Sequence, residues 1–219
     1  MEPVLAMRMT DFLTAFTLVT SFLVIGGKRL EFAVKVMAMQ AVLLAAVATV
    51  VARFTGLQEA YLAAFLTLLV KAAAIPFILH RVIRKISVKR ETCAFIGIKT
   101  SLVLAGILVI LSFSVTPQVL NPGHTIAGNA LPVAISLMLL GLFVMITRKL
   151  AVMQIIGLLM MENGLFLAGV GTTYGMPLVV ELGIFLDILV GVLIMGVLAF
   201  KINTTFDTID THRLKKLKG

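Results

Sequence analysis

Charged residues make up only 13% of this 219-residue chain, against the roughly 25% usual in globular proteins. There is one cysteine, Cys93, and no tryptophan. A lone thiol forms no internal disulfide and no thiolate metal cage. The three histidines, His80, His124 and His212, lie far apart and follow no metal-ligating spacing. Haem or iron–sulfur ligation by this chain alone is therefore disfavoured. No polar segment is long enough for a soluble domain, so a nucleotide site or a hydrolytic pocket would have to be built from short loops. No residue is singled out as catalytic and none as a metal ligand. The opening residues, MEPVLAMRMTDFLTAF, lack a basic leader and a small-residue cleavage site, so the first hydrophobic stretch is expected to be retained.

What the chain has is apolar length. Hydrophobic residues are 60% of it, and the mean hydropathy is +1.12. Polar and Gly/Pro punctuation cuts it into seven predicted helices: 10–27, 32–52, 60–79, 94–115, 128–147, 153–172 and 177–200. Each is long enough for a hydrocarbon core of about 30 Å at about 1.5 Å per residue. The expected fold is all-α, a polytopic transmembrane bundle of seven spans. It divides into a four-helix region (1–115), an outer loop (116–127), a three-helix region (128–200) and a basic tail (201–219). The twelve Met and fourteen Phe read as lipid-facing and interhelical packing, since no clustered methionine set suggests copper.

A net charge of +9 invites a nucleic-acid reading, but its distribution points to topology. Seven spans place Lys28, Arg29, Arg81, Arg84, Lys85, Lys89, Arg90, Arg148, Lys149, Lys201, Arg213, Lys215, Lys216 and Lys218 on one face. The other face receives Arg8 and Arg53. By the positive-inside rule the N-terminus lies outside and the C-terminus in the cytoplasm, in a multi-pass protein of the cytoplasmic membrane. The dense stretch 80–91 either contacts anionic lipid headgroups or docks a soluble partner. A nucleic-acid partner is not expected.

Six ionisable residues within the spans are singled out as candidates. Glu162, Asp187 and Lys71 each lie about ten residues from the outer end of their helix, roughly 15 Å deep. A charge there costs roughly 2.5–3.5 kcal/mol on insertion scales and marks ion or proton traffic by default. A common depth suits a lateral row across the bilayer. Asn163 adds a polar neighbour to Glu162. Glu181, Lys35 and Lys99 sit nearer helix ends and are secondary candidates; the two lysines can snorkel to the interface. Gly183 and Gly191 share a helical face with Asp187, while Gly157, Gly164 and Gly171 repeat at seven residues as a packing stripe. Pro76 removes a backbone N–H five residues beyond Lys71, and a kink is expected there.

The segments IIGLLMMENGLFLAGVG and FLDILVGVLIMG resemble the small three-helix K or 4L subunit of respiratory complex I, over residues 128–200. Nearly end to end, the chain resembles the hydrogenase-4 component E family; Ile156–Leu158, Met161–Gly164, Asp187, Gly191 and VKAAAIPFILHRVIRK (70–85) carry the likeness. The resemblance implies a membrane subunit of an energy-converting NiFe hydrogenase or formate hydrogenlyase complex. Its partners would be an antiporter-like membrane subunit, an anchor membrane subunit and a soluble hydrogenase arm. The NiFe centre and iron–sulfur clusters would reside in those partners, with no cofactor in this chain. In the three-helix subunits two buried glutamates serve a proton pathway. Asp187 stands at the third-helix position; the second-helix position is Leu159 here, with Glu162 three residues on. Two other readings compete: an assembly subunit whose buried charges glue subunits together, and a stand-alone secondary transporter. The absence of a whole-chain inverted repeat weighs against the transporter.

Overall fold

The computed structural model describes residues 3–56, 58–85, 95–119 and 130–173, together with Gly183 and Gly191. These form α1 (Pro3–Gly26), α2 (Leu30–Thr55), α3 (Gln58–Leu66), a π-helical segment (Thr67–Ala74), α4 (Ile75–Lys85), α5 (Ile98–Val119), α6 (Ala130–Thr147) and α7 (Ala151–Thr173). The π segment joins α3 to α4 without a break, so the three make one rod. Among the described residues, six helical stretches of 18–26 residues are apolar and long enough to cross a membrane. The chain is an all-helical membrane protein. The seventh predicted span, 177–200, lies outside the described residues except for Gly183 and Gly191, both helical.

Local chemistry sets the breaks. Gly27 and an extended Arg29 (φ −97°, ψ 124°) separate α1 from α2. Gly56 ends α2 in the left-handed region (φ 72°), its N–H returning to the Ala52 carbonyl, a conformation glycine adopts without a Cβ penalty. At the turn between α6 and α7, the Arg148 guanidinium reaches across to donate to the Ile25 carbonyl at the end of α1. That carbonyl belongs to a helix end and has no partner within its own helix. Phe95 N–H also bonds the Thr147 carbonyl, and Lys149 lies 4.4 Å over the Phe95 ring. The α1–α2, pre-α5 and α6–α7 connections therefore meet at one end of the bundle, as the charge pattern requires of basic loops on one face.

Packing is closest between α6 and α7. A Cβ added to Gly141 would lie 2.5 Å from the Gly157 carbonyl oxygen, and one on Gly164 would lie 2.6 Å from the Ala134 oxygen. Only hydrogen fits between these backbones. α2 touches α1, the rod and α7, while α5 packs on α1 and α6. Among the described spans α5 is the least enclosed, only 17% of its apolar window being buried. Ser112 Oγ anchors it by donating to the Pro132 carbonyl at 2.6 Å. Exposed side chains such as Phe12, Phe65, Phe77, Ile110 and Ile146 form an apolar exterior of the kind hydrocarbon accepts.

The interior is apolar at both ends and polar in between. One cluster gathers Val24, Ile25, Leu30, Val34, Ile83 and Val144 near the basic end. A second gathers Leu44, Val47, Ala64, Leu137, Phe166 and Val170 toward the other. Thr17, Ser21, Gln40, Thr67, Lys71, Glu162 and Asn163, all buried, occupy the sequence positions between the two sets on four separate spans.

Candidate functional site

Successive residues of a helix point about 100° apart, and α7 uses this to aim two polar side chains at different neighbours. Glu162 meets the rod and Asn163 meets α2, while Gly157 and Gly164 turn their bare backbone to α6. Slim and polar surfaces of one helix thus serve three neighbours.

Lys71 comes from the middle of the π segment. The Ile75 N–H bonds the Val70 carbonyl, a reach of five residues, and Pro76 follows with no N–H to give. The sequence suggests a kink at Pro76. The helix widens for two turns before the proline, and α4 runs on through it. Such π turns are uncommon and cluster at functional sites. Lys71 Nζ lies 2.7 Å from Glu162 Oε1, with the two side chains 5% and 2% exposed. The Phe166 ring stands 5.5 Å from the ammonium, on its cation-attracting face. Of the two acids that sequence places at the depth of Lys71, Glu162 is the one within the described residues, and it meets the lysine.

A hydrogen-bonded line leads away from the pair. Asn163 Nδ2 donates to Gln40 Oε1 at 3.0 Å. Gln40 Nε2 donates to the Thr17 carbonyl at 3.1 Å and to Ser21 Oγ at 2.9 Å. Beyond them α1 carries Thr10, Thr14 and Thr20 on the same buried stripe, each bonded to a carbonyl of its own helix. Four spans, α1, α2, the rod and α7, converge on this layer. Next to the pair, a cleft with room for about one water is lined by Lys71, Asn163, Pro76 and apolar walls that include Met37 and Leu159.

Of the other residues singled out by sequence, Lys35 and Lys99 are exposed near helix ends. Gly171 is buried in the last turn of α7. Gly183 and Gly191 are helical and partly buried, with nothing described within 4 Å of an added Cβ. Asp187 and Glu181 lie outside the described residues. Sequence reasoning missed Gln40, Thr17 and Ser21. Gln40 was detectable as a polar residue amid AMQAVLLAA, by the logic that found Asn163. The α1 stripe was legible as hydroxyls at three- and four-residue spacing from Thr10 to Ser21.

The chain is 32% identical over 213 residues to an uncharacterized protein of Mycobacterium tuberculosis, spanning 96% of both chains. It is 28% identical over 207 residues to hydrogenase-4 component E of Escherichia coli, spanning 94% of this chain and 96% of that one. Hydrogenase-4 component E of Shigella flexneri matches to the same extent. The chain belongs to the hydrogenase-4 component E family. Membership covers both halves, so the Lys71 rod and the Glu162 helix fall within the matched length. No family model and no solved structure matches it.

Proposed function

We propose that this chain is a membrane subunit of a multisubunit NiFe hydrogenase-type complex and that Lys71 and Glu162 take part in proton translocation coupled to its electron transfer. The observation that carries the reading is the buried 2.7 Å ion pair seated in a π turn. Ionised side chains within a membrane bundle are costly and, when retained, commonly mark ion or proton relays. A proton passing from Lys71 Nζ to Glu162 Oε1 turns the ion pair into an amine and a carboxylic acid, with no change in total charge. The attraction holding the two is then lost, and each can exchange with a different neighbour. Asp187, at similar depth by sequence, is the proposed next carrier, and either protons or another small cation would be the transported ion.

Apolar clusters lie on both sides of this layer, which favours lateral movement over a straight pore through the chain. The antiporter-like, anchor and soluble partners supply the onward path and all redox chemistry in this reading. The chain sits in the cytoplasmic membrane with its N-terminus outside and its basic end toward the cytoplasm. Gly157 and Gly164 of the stripe face α6 within the chain, so these two lend no weight to a purely subunit-gluing role.

Two experiments test this. Copurification in mild detergent should recover hydrogenase-type subunits, and isolation as a lone active carrier would contradict complex membership. In vesicles holding the complex, Glu162→Gln and Asp187→Asn should lower protons moved per electron while part of the electron transfer persists. Unchanged stoichiometry in both variants would refute the translocation role.

A further inference from the structure

The polarity of the amide line beside the ion pair is fixed from one end. The Thr17 carbonyl can only accept, so Gln40 must turn Nε2 toward it. Ser21 Oγ donates its own proton to the same carbonyl and so accepts from Gln40. Gln40 Oε1 therefore faces Asn163, which must answer with Nδ2. This leaves Asn163 Oδ1 as an acceptor. It is buried and has no hydrogen-bond partner among the described residues, and the same holds for Glu162 Oε2. Two bare oxygen acceptors in an apolar interior are unfavourable unless a donor reaches them.

The cleft beside the π segment offers the place for one. Asn163 and Lys71 line it, and the rest of its wall is Val34, Met37, Ala41, Ile75, Pro76, Leu79 and Leu159. We propose that this cleft is a water-binding site. A water there donates to Asn163 Oδ1 and accepts from the Lys71 ammonium, the two polar side chains that line the cleft. Buried waters typically make about three such bonds. Gln40 is the positioning residue that keeps the Asn163 carbonyl available. A small cation fits less well, because the lysine already brings a positive charge to the cleft. The site extends the reading of Lys71 and Glu162 as a transfer pair, since water gives that pair a third party for proton exchange, but its geometry stands without that reading.

X-ray hydroxyl-radical footprinting of membranes carrying the assembled complex tests it, because radicals formed from a bound water oxidise its immediate neighbours. Met37 lines the cleft, whereas Met160 is buried in the same apolar cluster without lining it. Met37 should be oxidised severalfold faster than Met160. Asn163→Leu should bring Met37 down to the Met160 rate, and Asn163→Asp, which keeps an acceptor, should leave it fast. Equal rates for Met37 and Met160 in the unaltered protein would overturn the proposal, as would a fast Met37 in Asn163→Leu. Labelling reads the water and not ion movement, so failure of the translocation reading would leave this result in place.

Discussion

Removing one partner of the Lys71–Glu162 pair should harm the protein more than removing both. The ion pair is 2.7 Å long, and its side chains are 5% and 2% exposed, so a stranded charge finds little solvent. Breaking a buried pair on one side costs about 3–5 kcal/mol, whereas replacing both members by apolar groups of similar volume is often neutral. Lys71→Met and Glu162→Met alone are each expected to lose that amount, about two to four orders of magnitude in a folding or assembly equilibrium. The double variant should recover most of it. The assay is thermal stability in one detergent, read beside native-gel assembly for the unaltered protein, both single variants and the double. Single variants as stable as the unaltered protein would refute the reasoning, as would a double variant worse than either. The first outcome would mean that water or lipid headgroups already solvate the pair; the second that the side chains matter for shape and not charge.

Other expectations follow from specific contacts. Gly157→Leu should disrupt the α6–α7 hairpin, since even a Cβ there would lie 2.7 Å from the Gly141 oxygen; overpacking costs typically about 1–3 kcal/mol, and assembly on native gels should fall. Arg148→Met leaves the Ile25 carbonyl without its long-range donor, at about 1–3 kcal/mol, and thermal melting should detect the loss and partial rescue by Arg148→Lys. Gly56→Ala meets no clash but holds φ at 72°, which should lower stability by about 1–2 kcal/mol without altering ion movement.

Much of the bundle was legible because spans are written in length and apolarity. Six of the predicted spans overlap described helices, although the first begins earlier, at Pro3, and the third runs on to Lys85. Lys71 and Glu162 were detectable because charge is rare in such helices and depth can be counted from the ends. That they meet could not be read, since pairing depends on the rotation of two rods far apart in sequence. The π segment was also hidden: Pro76 signals a disturbed helix, but whether it kinks or widens is decided by what the helix packs against. Gln40 went unremarked because an uncharged amide hardly alters a hydropathy window, yet its burial and three hydrogen-bonded neighbours make it the link between α1 and α7.

The most direct test is proton movement per electron in the Lys71→Met, Glu162→Met double variant, measured in vesicles where assembly has been verified. Stability is expected to return in that variant while its titratable pair is gone. If the pair serves translocation, the assembled complex should still pass electrons but move fewer protons for each. Full stoichiometry in the assembled double variant would contradict it and leave the pair a purely structural contact.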